Sequence, residues 1–409
     1  MIKIDEKKYC CGCMACVQKC PKQCIALTED EEGFLYPKVD IDTCVDCHLC
    51  EKVCPVQNQF NMKEPLQVYA AVNTQKDVLQ NSSSGGIFSL LAERVIKEGG
   101  VVFGAAFNEE WEVCHTYTDS IEGIEKFRGS KYVQSRIGDS YKQAEQFLLE
   151  GRTVLFSGTP CQISGLKHYL IKPYNNLLCV DIVCHGTPSP GIWNEYRKKI
   201  PAKLAAGKNT VFESLKTMPV ITGINFRDKK NGWQKYGFSA SISADQREAE
   251  NSVSPPKCHC YHEYHRENLF MRGFLNNLYL RPSCYQCSAR HGKSQSDILL
   301  GDFWGVLRKY PAFYNKDGVS LVLAYSEKGD AIFNSISCTK INATYADALD
   351  CNINIEKDEI APKNRTKFFK DYLKHGVKAI DKYSRQLEPS GLSIFIKHVI
   401  NWIKYHLNK

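Results

Sequence analysis

Apolar and polar positions follow three different patterns along this 409-residue chain, and each predicts a different kind of element. In CIALTEDEEGFLYPKVD, residues 24–40, short apolar stretches flank an acidic turn that contains Gly33, which predicts a β-hairpin. A polar, proline-containing stretch, VQNQFNMKEPLQ, follows and predicts a linker at about residues 56–66. Residues 84–98, SGGIFSLLAERVIKE, carry apolar side chains at helical spacing and run into Gly99, Gly100 and the strand-like VVFGAAF. TVLFSG (153–158) and LLCVDIVCHG (177–186) are short, nearly continuous apolar runs separated by the helical TPCQISGLKHYL, the pattern of buried parallel strands joined by a crossover helix. From about 219 to 245 the pattern turns to alternation, in VITGINFRD and YGFSASISAD, which predicts an added antiparallel sheet.

Cysteine placement changes this picture most. Ten of the 20 cysteines lie within the first 54 residues at repeated two-residue gaps, the spacing of metal ligands in a reducing compartment rather than of a disulfide framework. Cys10, Cys13, Cys16 and Cys20 precede Pro21, and the same C-x2-C-x2-C-x3-C-P run recurs 34 positions later at Cys44, Cys47, Cys50, Cys54 and Pro55. In this arrangement three cysteines of a run hold one 4Fe-4S cube and the fourth crosses to the other. Cluster one is then expected on Cys10, Cys13, Cys16 and Cys54, and cluster two on Cys44, Cys47, Cys50 and Cys20. Zinc knuckles also use C-x2-C pairs, but four-ligand zinc gives no reason for two runs of three plus a Cys-Pro. Cys11 and Cys24 fall outside the frame and read as unliganded structural thiols. The fold expected is an α+β two-cluster ferredoxin-like domain over residues 1–60, followed by an α/β body (67–200 and 201–375) with an added antiparallel sheet. A basic amphipathic tail over 376–409 completes the chain.

Two body cysteines stand where such a fold puts chemistry. Cys161 follows one apolar strand and Cys184 ends the next, so both are expected at the carboxyl edge of one sheet, where ligands collect. Cys284 and Cys287 form another C-x2-C pair, making a candidate third 4Fe-4S site of four; a zinc site or ordinary buried thiols satisfy the same spacing. Ser82, Ser83, Ser84, Gly85 and Gly86 open a predicted helix, where free N–H groups suit a phosphate, although a serine N-cap has the same appearance. Lys131, Tyr132, Gln134 and Ser135, in GSKYVQS, suit a polar cofactor or simply a solvated turn. Lys131, Tyr132 and His185 are the candidates for acid–base help, though no spacing singles out a catalytic group. CHCYHEYH (258–265) invites a metal but lacks zinc-finger spacing, so the default is a surface loop leading into a helix. Apolar residues at 394, 395, 399, 400, 403 and 407, with basic residues between them, would let the tail pack on its own domain, grip a partner or lie on a membrane surface.

Charge excludes little. The net charge of +8 is mild and dispersed, so no nucleic-acid partner is expected. Neither a signal-peptide-like start nor a run of about 20 apolar residues is found, and a cytoplasmic protein is expected. No Walker A sequence is present, and no G-x-G-x-x-G follows a strand.

Taken in order, SSSGGIF, FRGSKYVQS, FSGTPCQISGL, DIVCHGTPSP, GFLNNLYLRPSCYQC and SDILLGDFWG resemble the family of coenzyme F-420 hydrogenase/dehydrogenase beta subunits, including versions among bacterial polysaccharide-synthesis proteins. The resemblance covers most of the chain. It implies an iron–sulfur flavoprotein, a third cluster on Cys161, Cys184, Cys284 and Cys287, and FAD held by Ser84, Gly85, Gly86, Lys131, Tyr132, Gln134 and Ser135. The doubled N-terminal cluster departs from the simplest members and implies a ferredoxin or similar low-potential donor. CHCYHEYH is a second departure and leaves the active-site lining open. The main expectation is therefore an oxidoreductase passing electrons through the clusters to FAD and on to a small organic substrate, such as a glycan precursor or a deazaflavin. A homo-oligomer is expected by analogy. The alternative is one of the non-catalytic electron-transfer subunits of a larger redox complex.

Overall fold

The computed structural model describes residues 1–201, 220–243 and 259–387. The expected hairpin forms from β1 (Ile25–Glu29) and β2 (Leu35–Val39), paired antiparallel. Gly33 supplies the left-handed turn residue, at φ 80°.

The body contains β3 (Gln67–Val72), β4 (Val101–Phe107), β5 (Val113–Thr118), β6 (Val154–Gly158), β7 (Leu177–Ile182), β8 (Val220–Asp228), β9 (Gly237–Ser243), β10 (His259–Tyr264), β11 (Ile298–Asp302), β12 (Ser320–Ala324) and β13 (Thr339–Asn342). Eight of them make one mixed sheet in the order β13-β3-β12-β11-β7-β6-β4-β5. Its centre, β4, β6, β7 and β11, is parallel. The flanking β5, β12, β3 and β13 are antiparallel. Strands from both sides of residue 200 thus share one sheet.

The central runs are continuously apolar because both faces are covered. Val101, Phe103, Val154, Phe156, Leu177 and Cys179 point to one side, under the helices Ser140–Leu149 and Pro160–Leu170. Val102, Ala106, Leu155, Leu178 and Val180 point to the other, under helix Ile87–Lys97, whose Ile87, Leu91, Ala92 and Val95 form the buried stripe. Cys11, Cys13, Met14, Ala15 and Val53 of the N-terminal module belong to the first of these apolar clusters. The module is therefore built into the body's core.

The added antiparallel sheet has the order β10-β9-β8. It corrects the expectation for CHCYHEYH: residues 259–264 pair with β9 as a third strand instead of forming a surface loop. Burial explains this. Tyr261 packs against the aromatic core that contains Trp193, Phe226, Phe238 and Phe270, and His265 is buried with Nδ1 2.8 Å from the Tyr236 carbonyl oxygen. Cys258 lies outside the described residues. So does the tail from 388 onward, leaving its membrane or partner role outside them; helix Val377–Gln386 packs its apolar face into the aromatic core.

Asp181, in β7, is fully buried and accepts hydrogen bonds from the Ser294 and Ser296 hydroxyls at 2.6 and 2.7 Å. Burial pushes its carboxyl up to about 7. The folded state therefore keeps a proton that the unfolded chain releases above about pH 4, so stability falls as pH rises from about 4 to 7. Unfolding free energies from urea titrations across this window should drop with a slope approaching about 1.4 kcal/mol per pH unit, on the order of one proton. Asp181→Asn should flatten that slope.

Candidate metal centres

The duplication seen in the N-terminal sequence is repeated in the backbone. Gly12 and Met14 take left-handed φ values of 74° and 61°; 34 positions on, Asp46 and His48 take 49° and 57°. For three non-glycine residues this conformation costs about 1–2 kcal/mol each. It lets each run curl into a loop that ends in a short helix, Ala15–Lys19 or Leu49–Lys52. Each loop lines a recess. One has Cys10, Cys13, Cys16 and Cys54 in its lining. The other has Cys20, Cys44, Cys47 and Cys50. The structure therefore brings together both interleaved sets expected from spacing.

Burial, followed by the neighbouring Cys10 and Cys54 thiols, pushes Cys16 well up. Thiols this crowded stay protonated unless a cation replaces the protons. Among the described residues no three His, Cys, Asp or Glu side chains close round a single ion site. A four-iron cube, whose thiolates sit on separate corners, requires wider spacing than one ion does. Cys24 joins the second recess, its Sγ 3.4 Å from that of Cys20.

The four body cysteines also converge. Cys161 follows β6 in the first turn of helix Pro160–Leu170, which is fixed by a capping box between Thr159 and Gln162 and by Pro160 at the first helical position. Its Sγ lies 3.2 Å from Thr159 Oγ1. Cys184 stands two residues beyond β7, at the same sheet edge. The Thr187 N–H donates to Cys284 Sγ at 3.4 Å, and Arg290 Nη2 donates to the Cys184 and His185 carbonyls at 3.0 and 3.1 Å. Burial is the main cause raising Cys184, Cys284 and Cys287; the neighbouring Cys284 and Cys161 add to it at Cys184, and Cys161 adds to it at Cys284 and Cys287.

Arg290 is buried beside these thiols, with Nε and Nη1 lacking hydrogen-bond partners among the described residues; the nearest carboxylate oxygen, on Asp358, is 3.8 Å from Nε. Orphaned buried donors beside four thiols fit an anionic group with sulfide acceptors.

The three thiol groups form a connected line. The first and second recesses share the loop pair. Cys13 packs against Gly165, one helical turn from Cys161, so closely that a Cβ on Gly165 would lie 2.7 Å from Cys13 Cβ. Buried Cys11 belongs to the apolar cluster that also holds Cys13 and packs against Cys161. Cys11, expected to be an unliganded structural thiol, is 7% exposed and packed in that cluster. Arg281, Arg365 and Gln134 complete the joint. Arg365 makes a bidentate pair with Glu32, at 2.8 and 2.6 Å, and reaches the Tyr285 hydroxyl inside the C-x2-C segment. Gln134 donates to the Cys11 carbonyl at 3.0 Å.

The other predicted site residues are engaged by protein groups. Ser84 Oγ donates to the Val319 carbonyl, and the Gly85 N–H donates to Ser320 Oγ. Gly86 is the left-handed N-cap of helix Ile87–Lys97. Lys131 donates to the Lys126 and Arg128 carbonyls, and burial lowers its pKa to about 7. Tyr132 OH accepts from Arg227, while Ser135 Oγ meets His115 Nδ1 and Gln162 Nε2. His185 pairs through Nδ1 with Glu359 at 3.1 Å. Nothing in the sequence pattern singles out Arg281 and Arg290; their position next to the C-x2-C pair is the only signal they carry.

A body of mixed sheet fused to duplicated cysteine loops defines an iron–sulfur protein, and comparison with known proteins names its family. Residues 68–140 and 151–347 match the N-terminal and C-terminal models of the coenzyme F-420 hydrogenase/dehydrogenase beta subunit, and residues 9–58 match a 4Fe-4S dicluster domain. The chain belongs to the family of coenzyme F-420 hydrogenase/dehydrogenase beta subunits and carries a 4Fe-4S dicluster domain at its N-terminal end. It is similar to one of the F(420)H(2) dehydrogenase subunits of Methanosarcina mazei, 26% identical over 194 residues, 44% of this chain and 55% of that protein. Its first part is similar to an uncharacterized ferredoxin of Methanocaldococcus jannaschii, 39% identical over 52 residues, 13% of this chain and 66% of that one. It is also similar to a 7Fe ferredoxin of Hydrogenibacillus schlegelii, 45% identical over 42 residues, 10% of this chain and 47% of that one. The chain thus spans about half to two thirds of the curated relatives it matches. A chain in the F-420-reducing nickel–iron hydrogenase complex from Methanosarcina barkeri aligns over 78% of this chain and 93% of its own length, at 16% identity and a TM-score of 0.41. Among the described residues no helix is long and apolar enough to cross a membrane.

Gly165→Ala should drive a methyl group into Cys13 and the Tyr141 hydroxyl. We expect a stability loss of roughly 1–3 kcal/mol in thermal denaturation, accompanied by a changed visible cluster spectrum.

Proposed function

We propose that this chain is an iron–sulfur electron-transfer protein, one of the subunits of a redox complex of the F-420 hydrogenase/dehydrogenase type. Cys10, Cys13, Cys16 and Cys54 would hold one 4Fe-4S cluster, Cys20, Cys44, Cys47 and Cys50 a second, and Cys161, Cys184, Cys284 and Cys287 a third. Such clusters supply one-electron storage. The observation that carries the reading is the joint itself: Cys11 and Cys13 of the module share an apolar cluster with Cys161 of the body, and Cys13 packs on Gly165 of the helix that carries Cys161. The chain's own residues order them from surface to interior. Cys47 is exposed and Val45 beside it is 57% exposed, whereas Cys13 and Cys161 lie in the shared apolar cluster. An exposed end and a buried end suit a protein donor, such as a ferredoxin, docking at the second recess. The buried, orphaned donors of Arg290 would hold the third cluster in place and shield it from water.

A second reading is favoured by a cleft at the seam, lined by residues that include Gln134, Ser135, Trp193 and Arg281. It brings Gln134 and Ser135, two of the residues that the family resemblance assigns to FAD, to one recess. In this reading a flavin such as FAD takes the electrons and the chain is itself a reductase.

Anaerobic purification with iron, sulfide and flavin analysis separates the two readings. We expect about twelve irons per chain, four per cluster, and no retained flavin. One FAD per chain with reduction of a small molecule by the isolated chain would replace the first reading with the second. Cys161→Ser should lower the count to about eight irons per chain while leaving the module's clusters intact. An unchanged count would remove Cys161 from the ligand set.

A further inference from the structure

Arg281 is the most deeply buried charge in the joint, 1% exposed, and among the described residues it has no carboxylate partner. Its guanidinium instead donates from Nε to the Cys10 carbonyl at 2.7 Å, from Nη1 to Gln134 Oε1 at 2.9 Å, and from Nη2 to the Leu35 carbonyl at 2.9 Å and Cys10 Sγ at 3.5 Å. Tyr36 and Phe34 cover it, with ring centroids 4.3 and 5.3 Å from Cζ. Gly12 is held to glycine here, since a Cβ would lie 2.8 Å from Arg281 Nη1 and φ is 74°. All polar partners of this buried cation are neutral except the one that becomes charged on metal binding, the Cys10 sulfur.

A buried ion without a counter-ion costs several kcal/mol. Four thiolates around a four-iron core leave a net anion, and reduction adds one further negative charge without a proton. We infer that Arg281 is the counter-charge of the cluster held by Cys10, Cys13, Cys16 and Cys54, and that it raises the reduction potential of this cluster above that of the one on Cys20, Cys44, Cys47 and Cys50. This rests on the cluster assignment of the proposed function. Arg281 is a positioning residue: it belongs to the segment that carries Cys284 and Cys287, so the body supplies the charge that draws an electron inward from the exposed end. The second recess is lined by apolar and thiol groups with Lys22, Asp46 and His48, and no arginine is among its lining residues.

The test is a dithionite titration of the full-length, cluster-loaded chain, followed by low-temperature electron paramagnetic resonance. Arg281→Gln keeps a hydrogen-bonding side chain and removes the charge. It should shift the one-electron reduction equilibrium of the cluster on Cys10 at least tenfold toward the oxidised form, about 59 mV. Tyr36→Phe, which keeps the ring over the same guanidinium, should leave the potential within a few-fold of wild type. An Arg281→Gln protein that retains its iron and titrates as wild type overturns the inference. If Arg281→Gln loses its clusters, Arg281→Lys decides: the charge remains, so the wild-type potential is required, and a tenfold fall contradicts the inference. Wild-type protein that binds no iron at the N-terminal cysteines would instead sink the underlying cluster assignment.

Discussion

Crowded thiols are the constraint on which the rest of this molecule depends. Three groups of four cysteines are brought together, and burial is the main cause that raises Cys16, Cys184 and Cys284 among them. Ionising them together without a cation would place several like charges in a dry medium. Metal at these groups, as proposed, would resolve the conflict by displacing the protons and turning repulsion into coordination. The left-handed residues at Met14, Asp46 and His48 make sense on the same terms. Strain of this kind persists where the surroundings over-determine it, and a cube gripping three successive thiols would do that.

The module is also not separable from the body in the way a tethered ferredoxin would be. Cys11, Cys13 and Met14 share an apolar cluster with Phe103, Phe156 and Leu166. Glu32 is held by Arg365, and Ser189 Oγ donates to the Glu32 carbonyl at 2.5 Å. Gly33 and Gly191 approach until a Cβ on either would lie under 3 Å from the other backbone. Such contacts fix the relative position of the thiol groups, which an electron path needs and a flexible linker would not provide.

Much of this is readable from the chain alone, for physical reasons. The two Cys-Pro runs predict both interleaved sets, because a short loop can offer only three corners and the fourth must cross. Continuous apolar runs predict β6 and β7, which put Cys161 and Cys184 on one edge. The antiparallel flanks of the sheet are not legible, since β12, SLVLA, is as uniformly buried as a parallel strand and carries no alternation. Residues 259–264 read as a loop because their polar histidines and glutamate mask a strand anchored by the partner β9. Arg281 and Cys11 are invisible in their roles at the joint. An arginine next to a proline and a cysteine next to a ligand acquire meaning only when residues some 270 positions apart meet, as Arg281 and Cys10 do at 2.7 Å.

The central claim is that three clusters lie in one contiguous line, and the electron paramagnetic resonance spectrum of the fully reduced wild-type chain tests it most directly. Three neighbouring clusters should give about three spins per chain, with signals broadened and split by magnetic interaction between them. Sharp, non-interacting signals integrating to about two spins would contradict it, leaving an ordinary ferredoxin module attached to a body without a cluster.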